Sequence, residues 1–170
     1  RYAIERARIV TELQQTKDAL QNSLNSLREE LDTARLVQKS MLPNKLQHIS
    51  GMEIAPLYIP CGHIGGDLYD IVPVSDTLTA FVIFDVSGHG VPAALISTMA
   101  KISFTRNIPR FTDPGKVLEH VNDELTPFLP SERFISSFCA FVDLEKKTFT
   151  YANGGHPPFY YVNVTDNRVE

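Results

Sequence analysis

Ala80-Phe81-Val82-Ile83-Phe84-Asp85-Val86-Ser87-Gly88-His89-Gly90 is an apolar run that ends on an acid and then turns through two glycines. The run from Ala80 to Phe84 is long enough for a buried strand. A carboxylate at the end of such a strand must be met by hydrogen-bond donors or a cation. The glycines let the backbone bend sharply and approach a ligand closely. Pro92 then suits the first turn of a helix. A strand, an acidic turn and a helix therefore follow one another within a short span.

The same grammar continues on both sides. Thr77–Val86 and Asp67–Val74 form a predicted hairpin with Ser75-Asp76 as the turn. Met52–Ile59 reads as extended and apolar. Val91 to Asn107 reads as a helix with the stripe Ala94, Leu95, Thr98 and Ile102. Asp113-Pro114 supplies a cap and first residue for a second helix, with Val117, Leu118, Val121, Leu125 and Phe128 as its buried face. Phe134–Asp143 and Thr148–Asn153 read as strands joined by Glu145-Lys146-Lys147, and Pro158–Val164 as a further strand. Strands, then two helices, then strands indicate an α+β fold with an antiparallel sheet.

Residues 1–42 are a different kind of chain. All 9 glycines and 11 prolines lie at or after Pro43. Leu13, Leu20 and Leu27 repeat every seven residues, which places Val10, Lys17, Leu24 and Leu31 at the other seam position of a coiled coil. A helix with so narrow a stripe needs a partner, and a parallel homodimer through residues 1–42 is expected. Pro43 ends the helix. The division is a linker helix over 1–42 and a folded domain over 43–170.

Composition bounds the function. The net charge of −4 and pI near 5.7 argue against nucleic acid or an anionic membrane as the main partner. No apolar run approaches the ~18 residues of a membrane span, and no signal segment opens the chain. Cys61 and Cys139 fit no metal spacing and read as reduced core thiols of a cytoplasmic protein. A chain that opens on Arg1 is expected to be a piece of a longer protein.

Asp67 follows Gly65-Gly66, as Asp85 precedes its own glycines. Two carboxylates converging from neighbouring strands make a hard-oxygen site suited to Mg²⁺ or Mn²⁺. Asp85 capping the next helix, with Asp67 fixing a turn, is the plainer alternative. His48, His63 and His120 have no spacing that suggests a metal site.

Five segments, in order, resemble the SpoIIE-like branch of the metal-dependent PPM (type 2C-like) serine/threonine phosphatases. They are Ala34-Arg35-Leu36-Val37-Gln38-Lys39-Ser40-Met41-Leu42-Pro43; Ile54-Ala55 with Tyr58-Ile59-Pro60; Gly65-Gly66-Asp67-Leu68-Tyr69-Asp70; Asp85-Val86-Ser87-Gly88-His89-Gly90 with Ala93-Ala94-Leu95; and Asn153-Gly154-Gly155-His156-Pro157-Pro158. The resemblance implies part of a PPM-type antiparallel β-sandwich flanked by helices. It implies two Mn²⁺ or Mg²⁺ ions and a metal-bound water that attacks a phosphoserine or phosphothreonine. Asp85 would bridge both metals, Asp67 would ligate one, and Val86 would ligate through its carbonyl. His89 would protonate the leaving oxygen. Asp70 would either orient a ligand or make a structural hydrogen bond, and His156 would be a turn or core residue.

The implied substrate is a phosphoserine protein of the anti-sigma-factor antagonist type. A sensor or receiver domain is expected upstream, passing its signal by moving residues 38–43. The family's later Thr-Asp-Gly and Asp-Asp segments have no counterpart before Glu170, and Val164-Thr165-Asp166-Asn167 reads as a hairpin turn. Residues 1–170 alone are therefore expected to be inactive, and a noncatalytic dimeric pseudophosphatase is the alternative. A diguanylate cyclase is disfavoured because Leu68-Tyr69 follows Gly65-Gly66-Asp67 where that enzyme needs Glu-Phe.

Overall fold

Strand β2 (Leu78–Val86) is the centre of the fold, and its alternation explains its neighbours. The computed structural model describes residues 1–43, 51–163 and 168–169. Ala80, Val82, Phe84 and Val86 are buried on one face of β2, while Ile83 and Asp85 on the other are exposed. Strand β1 (Leu68–Pro73) pairs antiparallel on one side, with Leu68 opposite Phe84. Strand β3 (Ile135–Asp143) pairs antiparallel on the other, with Ser136 opposite Asp85. Strand β4 (Thr148–Gly154) completes an antiparallel sheet of order β1-β2-β3-β4. The hairpin turn between β1 and β2 is held by Ser75, whose Oγ accepts from the Thr77 and Leu78 amides.

Two helices cover the Phe84 face: α2 (Gly90–Asn107) and α3 (Pro114–Leu125). Phe84, Phe104, Val117, Val121, Leu125, Cys139 and Phe141 share one core cluster, and Phe104 stacks on Phe84 with centroids 5.2 Å apart. Burying a side chain of this size contributes about 2–3 kcal/mol. Asp113 caps α3 as the sequence predicts, accepting from the Gly115 and Lys116 amides. Glu124 of α3 accepts from Ser103 Oγ (2.6 Å) and Asn107 Nδ2 (3.0 Å) of α2. The Ser103 hydrogen bond is the main reason its carboxyl lies below the usual range.

Several expectations are corrected. The buried face of α2 is Ala93, Ala94, Ile96, Ser97, Ala100, Ser103, Phe104 and Asn107, while Leu95 and Ile102 are exposed. Small residues let the helix approach the sheet closely, so the bulkier stripe turns outward. Phe128 falls in a 3-10 turn after α3 and is 68 % exposed. Residues 52–60 form no strand; Pro56 and Pro60 lack the N–H that a ladder needs. The predicted strand 158–164 shrinks, among the described residues, to β5 (Val162–Asn163), which pairs antiparallel with β6 (Arg168–Val169). His48 and the Val164–Asn167 turn lie outside the described residues. Cys139 is buried, and burial pushes its thiol up to about 12; Cys61 is exposed and is no core thiol.

The chain divides into two units, Arg1–Ser40 and Met41–Glu170. The first is a single helix, α1 (Tyr2–Ser40). At 1.5 Å per residue it runs roughly 58 Å. Val10, Leu13, Leu20, Leu24 and Leu27 are all exposed in the single chain. No helix among the described residues is long and apolar enough to cross a membrane.

Candidate functional site

The antiparallel register builds the site at one end of the sheet. Leu68 lies opposite Phe84, so Asp67 enters the sheet beside Asp85. Alternation puts both carboxylates on the face turned away from α2 and α3. They interact directly. Asp67 is an exposed residue, yet its carboxyl rests against the protein wall and loses part of its hydration. That desolvation, then its hydrogen bond to Asp85 and Asp85's negative charge, push it up to about 6.

Two glycines shape the surrounding loops. A Cβ on Gly66 would come 2.7 Å from the Val86 carbonyl oxygen, so only glycine lets the two acidic turns approach this closely. Gly88 has φ +94°, and a side chain there would run into the Arg133 guanidinium. Arg133 in turn donates to the Ser87 carbonyl. The Ser87 amide donates to the Phe134 carbonyl (2.9 Å), and the Phe134 amide donates to Ser87 Oγ (3.0 Å). The loop after Asp85 is thus tied to the start of β3.

The sequence-predicted residues separate into those brought together and those not. Asp67 and Asp85 are brought together, while the Val86 carbonyl oxygen lies against Gly66. Asp70 does not join them: it points to the helical face, buried, where it pairs with Lys101 and lies 3.4 Å from the Thr105 hydroxyl. It holds β1 to α2 and orients no ligand. His89 sits at the N-cap of α2 in extended conformation, exposed, and its side chain does not cap the helix.

Ser136, which sequence reasoning missed, and His156, read from the sequence as a turn or core residue, stand near Asp85. Ser136 is its register partner on β3, and Ser136 Oγ lies 3.3 Å from His156 Nδ1. The hydroxyl donates when Nδ1 is bare and accepts when Nδ1 carries the proton. Burial lowers the His156 pKa, against the opposite pull of the Asp85 charge. The turn before His156 is clamped by Asn153, which accepts from the His156 amide (2.8 Å) and donates to its carbonyl (3.0 Å). The available signal was register: once β2 and β3 are paired antiparallel, a polar residue at position 136 falls opposite Asp85.

Oxygen donors of this kind suit Mg²⁺ or Mn²⁺. Two facing carboxylates, Asp67 and Asp85, fit one side of such a cradle. Among the described residues no group of three or more His, Cys, Asp or Glu side chains is placed to hold an ion.

Comparison with known proteins agrees with this frame. The family model of Stage II sporulation protein E (SpoIIE) matches residues 75–170. Phosphoserine phosphatase RsbU of Bacillus subtilis is 29 % identical over 153 residues, which cover 90 % of this chain and 45 % of RsbU. Phosphoserine phosphatase RsbP of the same organism is 29 % identical over 142 residues, covering 81 % of this chain and 35 % of RsbP. The chain therefore spans less than half the length of these relatives. The SiaA-PP2C domain of Pseudomonas aeruginosa superposes with a TM-score of 0.66 at 24 % identity, over 77 % of this chain and 55 % of that one, which establishes a PP2C-like fold. With more than half of its residues inside the SpoIIE match and its sheet and helices arranged as in a PP2C domain, the chain belongs to the SpoIIE family.

Proposed function

We propose that the protein is a metal-dependent serine/threonine phosphatase acting on a phosphoserine regulatory protein of the anti-sigma-factor antagonist type. The observation that carries this reading is the juxtaposition of Asp67 and Asp85 at one end of the sheet. Membership of a family whose relatives include two phosphoserine phosphatases supports it.

Asp85, Asp67 and the Val86 carbonyl would hold the Mn²⁺ or Mg²⁺ ions. Such ions, when bound, lower the pKa of a coordinated water and neutralise charge on the phosphate. The chain's own part is to hold the two carboxylates against one another. Gly66 lets the turns close together, and Arg133 and Phe134 fix the loop that follows Asp85. His89, exposed at the start of α2, would protonate the leaving serine oxygen.

Residues 1–42 complete the proposal as a linker. The exposed seam of α1 would bury itself against a second copy, and the dimer would carry signals from an upstream sensor or receiver domain. Residues 1–170 by themselves are expected to turn over little, because the described part brings two carboxylates together rather than three or more.

The deciding experiment measures Mn²⁺-dependent phosphate release from a phosphoserine protein by the full-length protein and its Asp85→Asn variant. Activity that falls at least ~100-fold in Asp85→Asn supports the reading, since the variant removes charge from a site that works by electrostatics. Equal activity in both, or none in the full-length protein with ample metal and substrate, would favour a noncatalytic dimeric signalling module.

A further inference from the structure

The turn that carries His156 is anchored far more heavily than a chain reversal requires. Asn153 clamps it from one side through two hydrogen bonds to the His156 backbone. Gly155, at φ +77°, makes an isolated parallel bridge to Ser137. On the other side Phe159 packs among Phe138 (5.0 Å), Phe149 (5.5 Å) and Tyr151 (4.7 Å). These contacts hold one imidazole, half-buried, against Ser136. Ser136 is in turn the register partner of Asp85 and shares its face of the sheet. Asp85, Ser136 and His156 thus form a row leading away from the carboxylate pair.

Resting on the phosphatase reading above, we propose that His156 is a positioning residue of the Asp67–Asp85 site. Through Ser136 it fixes the end of β3 against Asp85 and so sets the direction of the Asp85 carboxylate toward a divalent cation. Groups that orient a ligand in this way typically govern metal affinity by about 10- to 100-fold without touching the ion.

The test measures Mn²⁺ affinity directly, by electron paramagnetic resonance of free Mn²⁺, on the full-length protein and on His156→Ala, His156→Gln, Ser136→Ala and Asp85→Asn. Asp85→Asn should abolish tight binding. His156→Ala and Ser136→Ala should each weaken it about tenfold, with metal-free melting temperatures close to the unsubstituted protein. His156→Gln, which keeps a polar atom within reach of Ser136, should recover part of the loss. The double variant should lose little more than either single one, because the two residues act in series.

Unchanged affinity in Ser136→Ala and His156→Ala, with binding lost in Asp85→Asn, would overturn the positioning role and leave the metal site intact. Unchanged affinity in all of them would overturn the metal site itself. Should His156→Ala lose its fold, Ser136→Ala decides, since the anchors at Asn153, Gly155 and Phe159 remain in that variant. An unchanged affinity there overturns the inference.

Discussion

Helices α1 and α2 obey opposite rules. The first carries a clean heptad of leucines and leaves them exposed; the second lacks a leucine stripe and buries one face against the rest of the domain. In α1, Leu13 and Leu20 are 67 % and 60 % exposed. In α2 the residues facing the sheet are mostly alanine and serine, with Phe104 filling the deepest gap, while Leu95 and Ile102 face solvent. Periodicity therefore marks where a helix could bury a surface, and packing distance decides where it does. Small side chains allow close approach to a sheet, and the energy then comes from neighbours such as Phe84 rather than from the helix's own leucines.

The contrast can be broken by substitution. The largest effect is expected at Phe104, where truncation to alanine opens a cavity beside Phe84 and should cost about 3–5 kcal/mol; urea unfolding of the full chain would measure it. A loss under ~1 kcal/mol, of the size seen for surface changes, would mean that α2 is not the element holding the core.

Next comes the seam of α1. In the proposed dimer, replacing Leu20 and Leu27 with serine removes two seam leucines from each helix and should weaken dimerisation at least ~100-fold, at about 0.8 kcal/mol per lost methylene. Sedimentation equilibrium reads the dissociation constant, and circular dichroism should show helix loss, because a lone helix is marginal in water. A variant that remains a dimer of unchanged affinity would show that the seam is buried by something else.

The smallest effect is the most diagnostic. Leu95→Ala on α2 should change stability by no more than about 0.5 kcal/mol, as for an exposed position away from special features. A loss of ~2 kcal/mol or more would restore the stripe that helical periodicity favours and reverse the comparison.

Much of the fold was legible. The helix to Ser40, the hairpin around Ser75, the capped start of α3 and the β3–β4 hairpin all depend on local signals: absence of glycine and proline, a turn serine, an Asp-Pro pair and alternation. The acidic pair was also legible, since Asp67 and Asp85 each lie beside glycines next to an apolar strand. Segment 52–60 was misread because apolar character resembles a strand, whereas its prolines deny the backbone its ladder. For Asp70 the sequence left two readings open, a ligand-orienting residue or a structural hydrogen bond, and register decided for the second. Its position in β1, odd against even, sends it to the opposite face and to Lys101.

By itself, then, the sequence determined the helices, the two hairpins, the heptad of α1 and the two acidic turns, because each follows from residues adjacent in the chain. Tertiary structure alone decided which face of α2 is buried, that Asp70 pairs with Lys101, and that His156 comes to stand beside Asp85 through Ser136. Those outcomes depend on strand register and packing distance between segments tens of residues apart, and neither quantity is carried by local pattern.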